Sequence, residues 1–168
     1  ETDINDDRVW SPKSLFQEIK QNVGLPQPIA NLGSVDDQLI RECMHENWRR
    51  YMKWQADCLH YTIENKHPDI IFTHIHNDDA EKHMYLHFAR EGNELSPQPV
   101  ENYVGYLEEI SRQNDAYIGR FLHLLDEGWT ILLVSDHGLT CNKTSETSQM
   151  VGSGVDTEDF VDWGFTAL

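Results

Sequence analysis

The run Trp129 to Val134, WTILLV, passes without a break into Ser135, Asp136, His137, Gly138 and Leu139, and this abrupt ending constrains the chain more than any other feature. Successive apolar residues over Ile131 to Val134 suit a strand buried on both faces of a parallel sheet, and ligands in open α/β sheets gather beyond the carboxyl ends of such strands. A second segment has the same grammar. Asp69 to Ile75, DIIFTHI, runs into His76, Asn77, Asp78 and Asp79, with His83 four residues further on. The two runs are expected to be strands that deliver carboxylate and imidazole to one rim.

The intervening chain reads as helix. Ser11 offers an N-cap with Pro12 at the first helical position, Leu15, Phe16, Ile19 and Val23 follow at helical spacing, and Gly24 supplies the stop. From about Asp36 to Lys66, Ile40, Met44, Trp48, Tyr51, Gln55, Cys58 and Thr62 recur at three- and four-residue steps, which predicts one long helix ended by Pro68. A further helix is expected from about Pro99 to Glu127, with an apolar side of Tyr103, Leu107, Ile110, Tyr117, Phe121, Leu124 and Leu125 and a stop at Gly128. Asp156 to Trp163 suggests one more short helix. The order of helix, helix, strand, helix, strand makes residues 1–67 mainly helical and 68–168 a βαβ unit. The expected class is helix-rich α/β, a parallel-sheet fragment with a right-handed crossover.

At 168 residues the chain is long enough for one domain and too short to argue for two independent ones. Its 29 acidic against 13 basic residues give a formal charge of −16, which opposes nucleic-acid phosphates and anionic membrane surfaces and excludes a bare duplex binder. No stretch approaches the length of a membrane span. The cysteines Cys43, Cys58 and Cys141 lie in no C-x-x-C pair, so they define neither a disulfide framework nor a zinc finger, and Cys43 and Cys58 read as buried small hydrophobes. Glu1 rather than methionine opens the chain, and the reading is of a piece of something longer. The compartment stays open.

Asp79 and His83, one helical turn apart, would let carboxylate and imidazole approach one ion, a donor pair suited to zinc or manganese. Singly, each motif has a bland account. D-x-x-x-H is common in a histidine-rich acidic chain, and Asp136 with Gly138 could serve a capped turn. Their joint occurrence at two strand ends of one βαβ unit is what points to a site.

SDHGL at Ser135 to Leu139, the preceding WTILLV, the helix with ND-x-YIGRFLHLLDEG at Asn114 to Gly128, and Asp79-x-x-x-His83 together resemble the type I phosphodiesterase and nucleotide pyrophosphatase group of the alkaline phosphatase superfamily. The resemblance spans roughly residues 65 to 168, and GVDTEDFVDWGFTAL is a looser match to the family's G-[FY]-T-x-L segment. It implies an α/β sandwich with two divalent ions, usually zinc with manganese as the alternative, beside a Thr or Ser nucleophile. Carried over position by position, Asp79 and His83 would hold the first ion and Asp136 and His137 the second. Outside that carry-over, His76 and Asp78 are candidates for an outer shell around the ions, and His76 reads equally as an ordinary histidine.

The family's nucleophile, its first strand-end aspartate and its last histidine have no counterpart here, so Thr73, Ser135 and Thr140 are not assigned as nucleophile. The implied activity is hydrolysis of phosphodiester, nucleotide pyrophosphate or phosphomonoester bonds through a phospho-enzyme, as part of a longer enzyme. Its substrate would be a phosphate-ester or nucleotide small molecule, with the rest of the polypeptide, or an oligomer, completing the site. A sulfatase or phosphomutase shares the same metal motifs. From another class, a non-catalytic α/β binding or scaffold domain would keep the same residues without turning anything over.

Overall fold

The computed structural model describes residues 5–26, 38–86, 88–89, 99–135 and 137–138. Four α-helices carry it: α1 (Lys13–Asn22), α2 (Gln38–Lys66), α3 (Asn77–Tyr85) and α4 (Val100–Gly119), with 3-10 turns at Asp7–Val9 and Leu122–Leu125. Two compact units divide them, one ending at Ile75 and resuming over Gln113–Trp129, the other formed by His76–Arg112 and resuming at Thr130. The first part of α4 therefore belongs to the second unit and its last part to the first.

In the first unit α1 buries Phe16 and Ile19, two residues on the stripe read from the sequence. Its start departs from expectation: Pro12, not Ser11, is the N-cap, extended at φ −70° and ψ 154°, and its carbonyl accepts from Leu15 N–H at 3.0 Å. Proline serves there because no N–H is required of that position. Gly24 ends the helix as expected, with φ +96° and its N–H on the Ile19 carbonyl at 2.9 Å. Its own carbonyl accepts the Trp54 indole N–H at 2.9 Å, which ties the end of α1 to α2.

The 29 residues of α2 match the expected helix, but its most buried stripe is Arg41, Trp48, Met52 and Ala56, one position round from the one the sequence suggested. Tyr51, Gln55, Cys58 and Thr62 flank that stripe, half-buried. Met52, Ala56 and Tyr117 form the buried cluster, with Leu59, Ile75 and Phe121 packed against it. Trp10 stands against both Phe16 and Trp54, with ring centroids 5.6 and 6.5 Å apart. Glu18 accepts from Lys66 Nζ at 2.6 Å and from the Tyr61 hydroxyl at 3.2 Å, a second link between α1 and α2.

The long helix expected from Pro99 to Glu127 breaks at Gly119. Beyond it Arg120 and Phe121 bond three residues back, to Tyr117 and Ile118, and the chain tightens into the 3-10 turn Leu122–Leu125. Glycine is the poorest non-proline helix former, which favours the break there. Gly128, at φ +90°, follows that turn rather than stopping the helix as expected.

In the second unit α3 and the first part of α4 meet through aromatic rings. Tyr103 lies 5.0 Å from Phe88, 6.0 Å from Tyr85 and 5.7 Å from Tyr106, and Tyr103 and Ile110 are fully buried. Asn77 and Glu81, on α3, are fully buried as well.

The expected parallel sheet is not present among the described residues: 67–76 and 129–135 contain no strand. Ile70 and Phe72 are 71% and 94% exposed, and Leu132 and Val134 82% and 91%, where burial on both faces was expected. A strand is defined by its neighbours, and neither segment has a ladder partner here. The first run nevertheless alternates. Ile71 and Ile75 are half-buried and Thr73 is bonded toward the helices, whereas Ile70, Phe72 and His74 face outward, a period of two that suits a one-sided sheet surface. Cys43 is exposed, against the expectation of a buried residue, while Cys58 is partly buried and its thiol is pushed up to about 12 by that burial. Cys141 and the helix expected at Asp156 to Trp163 lie outside the described residues. No described helix is long and apolar enough to cross a membrane.

Candidate metal site

The candidate site lies in the second unit and is built around one carboxylate. His76 precedes α3 as its N-cap residue, its carbonyl accepting the Ala80 N–H at 3.1 Å. Asp78 and Asp79 follow in the first turn, where the partial positive charge of the helix start favours carboxylates. Helical geometry then sets Asp79 above His83, so that His83 Nε2 lies 3.1 Å from Asp79 Oδ1. His76 Nε2 lies 3.4 Å from Asp79 Oδ2. Asp78 instead takes Lys82 Nζ at 2.5 Å, a partner on the adjoining stripe of the helix. The sequence reading placed both residues beside the ligands; only His76 contacts Asp79.

From the far end of the sequence His137 reaches the same carboxylate, its Nε2 3.8 Å from Asp79 Oδ1. Its ring orientation is set locally. Nδ1 lies 3.0 Å from the Gly138 carbonyl, and because a carbonyl only accepts, the Nδ1–H donates. In the neutral imidazole Nε2 then carries a lone pair. The Ser135 hydroxyl donates to the His137 carbonyl at 2.6 Å and braces the turn. Asp136 lies outside the described residues.

Asp79 Oδ1 is buried and accepts no hydrogen bond, although two imidazole nitrogens stand within 3.8 Å of it. A carboxylate oxygen and an imidazole lone pair are both acceptors, so facing one another they call for a proton or a metal cation between them. Carboxylate with imidazole is also the donor chemistry that zinc and manganese select. The donor types are those a divalent ion takes, although among the described residues no group of three or more His, Cys, Asp or Glu side chains could hold one. His76 and His83 are 56% and 53% exposed.

Sequence spacing alone pairs Asp79 with His83. It does not bring His137 to the same oxygen, more than fifty residues away, and it assigns His76 only a flanking place. The signal for His76 was the H-x-x-D-x-x-x-H spacing, which sets all three residues on one side of a helix.

Neither candidate hydroxyl among the described residues stands free as a nucleophile. Thr73 Oγ1 lies 3.1 Å from both the Tyr117 hydroxyl and Gln55 Nε2, and Ser135 is committed to the His137 carbonyl.

A model of the type I phosphodiesterase / nucleotide pyrophosphatase family matches residues 9–159. No curated protein and no solved structure matches the chain.

Proposed function

We infer function from one premise: the chain belongs to the type I phosphodiesterase / nucleotide pyrophosphatase family, whose match takes in both the α3 motif and the sequence from Ser135 to Gly138. That membership supports a hydrolase of the phosphodiesterase and pyrophosphatase kind. Our reading is metal-dependent hydrolysis of a phosphodiester, nucleotide pyrophosphate or phosphomonoester bond in a small molecule. Asp79 and His83 would hold one divalent ion, and Asp136 and His137 a second. Zinc, or manganese in its place, would supply a Lewis acid that stabilises charge building on the transferring phosphoryl group.

The observation that carries this reading is the meeting of His83 Nε2 and His137 Nε2 on Asp79 Oδ1, a buried oxygen with no hydrogen bond. In this scheme Asp79 supplies the charge that draws the cation and His83 fixes its side. His137, oriented through its Nδ1–H, turns a lone pair inward. The phospho-enzyme step would belong to a hydroxyl other than those of Thr73 and Ser135, which are engaged elsewhere. The formal charge of −16 is compatible with an anionic substrate, because bound cations reverse the local field.

Calorimetric titration of zinc, and separately of manganese, into the chain and into its Asp79→Ala and Asp136→Ala forms tests the reading. Binding lost or halved in stoichiometry in both variants is the expected result. Unchanged binding in both would overturn the metal assignment and leave a non-catalytic binding or scaffold domain as the reading to adopt.

A further inference from the structure

We propose that His60 is a proton-operated latch: while neutral it holds residues 120–125 against α2, and when charged it releases them while the body of α2 stays folded. The inference concerns the first unit alone and does not rest on the metal reading above.

The latch is first a matter of stacked rings. His60 of α2 lies on Phe121 at 4.9 Å and 17° between ring planes, and on His123 at 5.4 Å and 26°. It therefore meets both residues that flank Leu122, in the segment that follows α4. Phe121 packs in addition against the cluster of Met52, Ala56 and Tyr117, and Leu124 is buried.

The charges around the rings make the contact sensitive to protons. Asp57 and Glu64 bear on His60 from α2 itself, Arg120 and His123 from the segment beyond α4. Asp57 is already shared between Lys53 and Arg120. Lys53 and Arg120 thus offset Asp57 and Glu64 while both imidazoles are neutral, and each proton that an imidazole takes up adds a positive charge with no counterpart. Two stacked imidazoles become a like-charge pair beside a guanidinium. Burial, then Arg120 and His123, hold the His60 pKa below the ordinary histidine value, against Glu64 and Asp57.

Of the two partners, the segment is the one built to yield. Its 3-10 turn is closed by the Leu124 N–H on the Phe121 carbonyl at 3.0 Å and the Asp126 N–H on the His123 carbonyl at 3.1 Å, and the Trp129 N–H on the Leu124 carbonyl at 3.0 Å ties it off. Bonds over three residues have poorer geometry than those of an α-helix, and short exposed turns open at low free-energy cost. By contrast α2 runs for 29 residues with Trp48, Met52 and Ala56 buried. A base whose pKa is held down in the closed form favours closure above its free value, near 6.5, and loses that preference as pH falls through the closed-form value. Acid therefore opens the turn and leaves the helix.

Amide hydrogen exchange of the parent chain, followed by NMR at about pH 7.5 and about pH 5.5 and corrected for intrinsic rates, tests the latch. Protection of the Leu124 and Trp129 N–H groups should fall several-fold at the lower pH, while the Met52 and Ala56 amides keep theirs. His60→Phe, which retains a ring without the proton, and His60→Gln, which retains neither, should both abolish the pH dependence at Leu124 and Trp129.

Protection of the parent turn that is the same at both pH values would overturn the latch. So would a loss at Met52 and Ala56 that keeps step with the turn, since acid would then be unfolding the whole unit. These two results are read on the parent alone, whatever the variants do. A pH-dependent loss that survives in a folded variant would assign the opening to a group other than His60.

Discussion

The hydroxyl of Thr73 lies 3.1 Å from that of Tyr117, joining an extended apolar segment to the last turns of α4 across 44 residues of sequence. Gln55 on α2 closes the link from the other side, its Nε2 reaching Thr73 Oγ1 at 3.1 Å and the His74 carbonyl at 2.9 Å. One side chain of each helix thus holds the segment that leads into the candidate site.

Tyr117→Phe removes one hydroxyl from that link and should lower stability by about 1 kcal/mol, the usual net worth of a partly buried hydrogen bond. Burial holds the Tyr117 phenol above its ordinary value, outweighing the lowering by Thr73. A raised folded-state pKa stabilises below the unfolded value near 10 and loses that contribution as pH rises through the folded one. Urea melts of parent and variant should therefore differ most at neutral pH and converge above about pH 10. Equal melts at neutral pH would show that the link carries no net stability.

The first two helices were legible because helical periodicity needs only one face to be buried, and α1 and α2 each bury one. The stripe on α2 was misread by one position because Tyr51 and Trp54, 5.7 Å apart, are half-buried rings beside the core line of Trp48, Met52 and Ala56. The two apolar runs were read as buried strands and are not strands among the described residues, because a run of isoleucine and leucine states only that a strand would be stable between neighbours. It does not supply them. For the site, Asp79 and His83 follow from spacing on one helix, whereas the approach of His137 to Asp79 depends on how the chain after α4 returns, which no local pattern encodes.

Exposed apolar residues on an unpaired extended segment are a template for association. Ile70 and Phe72 occupy the outward side of the first segment, opposite the half-buried Ile71 and Ile75. Phe72→Ser should reduce concentration-dependent association in light scattering without lowering the melting temperature, because a ring 94% exposed contributes little to the core. A drop in melting temperature comparable to a core truncation would show that Phe72 is covered in solution.

His60 stacks on Phe121 at 4.9 Å and on His123 at 5.4 Å, beside the Arg120 that follows the end of α4. Burial lowers its pKa first, and the charges of Arg120 and His123 lower it further, against Glu64 and Asp57, which raise it. A base with a depressed folded-state pKa stabilises above its unfolded value, near 6.5, and loses that contribution as pH falls through the folded value. Thermal stability should thus fall in a step below about pH 6.5, and His60→Phe, which keeps the stack without the proton, should flatten it. An unaltered step in the variant would assign the pH dependence to other groups.

Asp57 of α2 accepts from Lys53 Nζ at 2.6 Å, one turn before it, and from Arg120 Nη2 beyond the end of α4. Arg120 also reaches the Lys53 carbonyl through Nη1 at 3.2 Å, so its guanidinium spans a turn of α2. Burial pushes the Asp57 carboxyl up, but the hydrogen bonds from Lys53 and Arg120 outweigh it and hold it below the usual carboxylate range. A depressed folded-state pKa stabilises above the unfolded value near 3.9, and that stability is lost as pH falls through the folded one. The pair is about one-third exposed, which places its coupling near the exposed ion-pair range of about 1 kcal/mol rather than that of a buried pair. A double-mutant cycle of Asp57→Asn and Arg120→Gln by denaturant melts should return that coupling at about pH 7 and lose it as pH falls below the ordinary carboxylate range. Because Lys53 remains on Asp57 when Arg120 is replaced, Arg120→Gln alone should cost less than Asp57→Asn. The reverse order would mean that the Arg120 bond to the Lys53 carbonyl, not the ion pair, holds the end of α4 to α2.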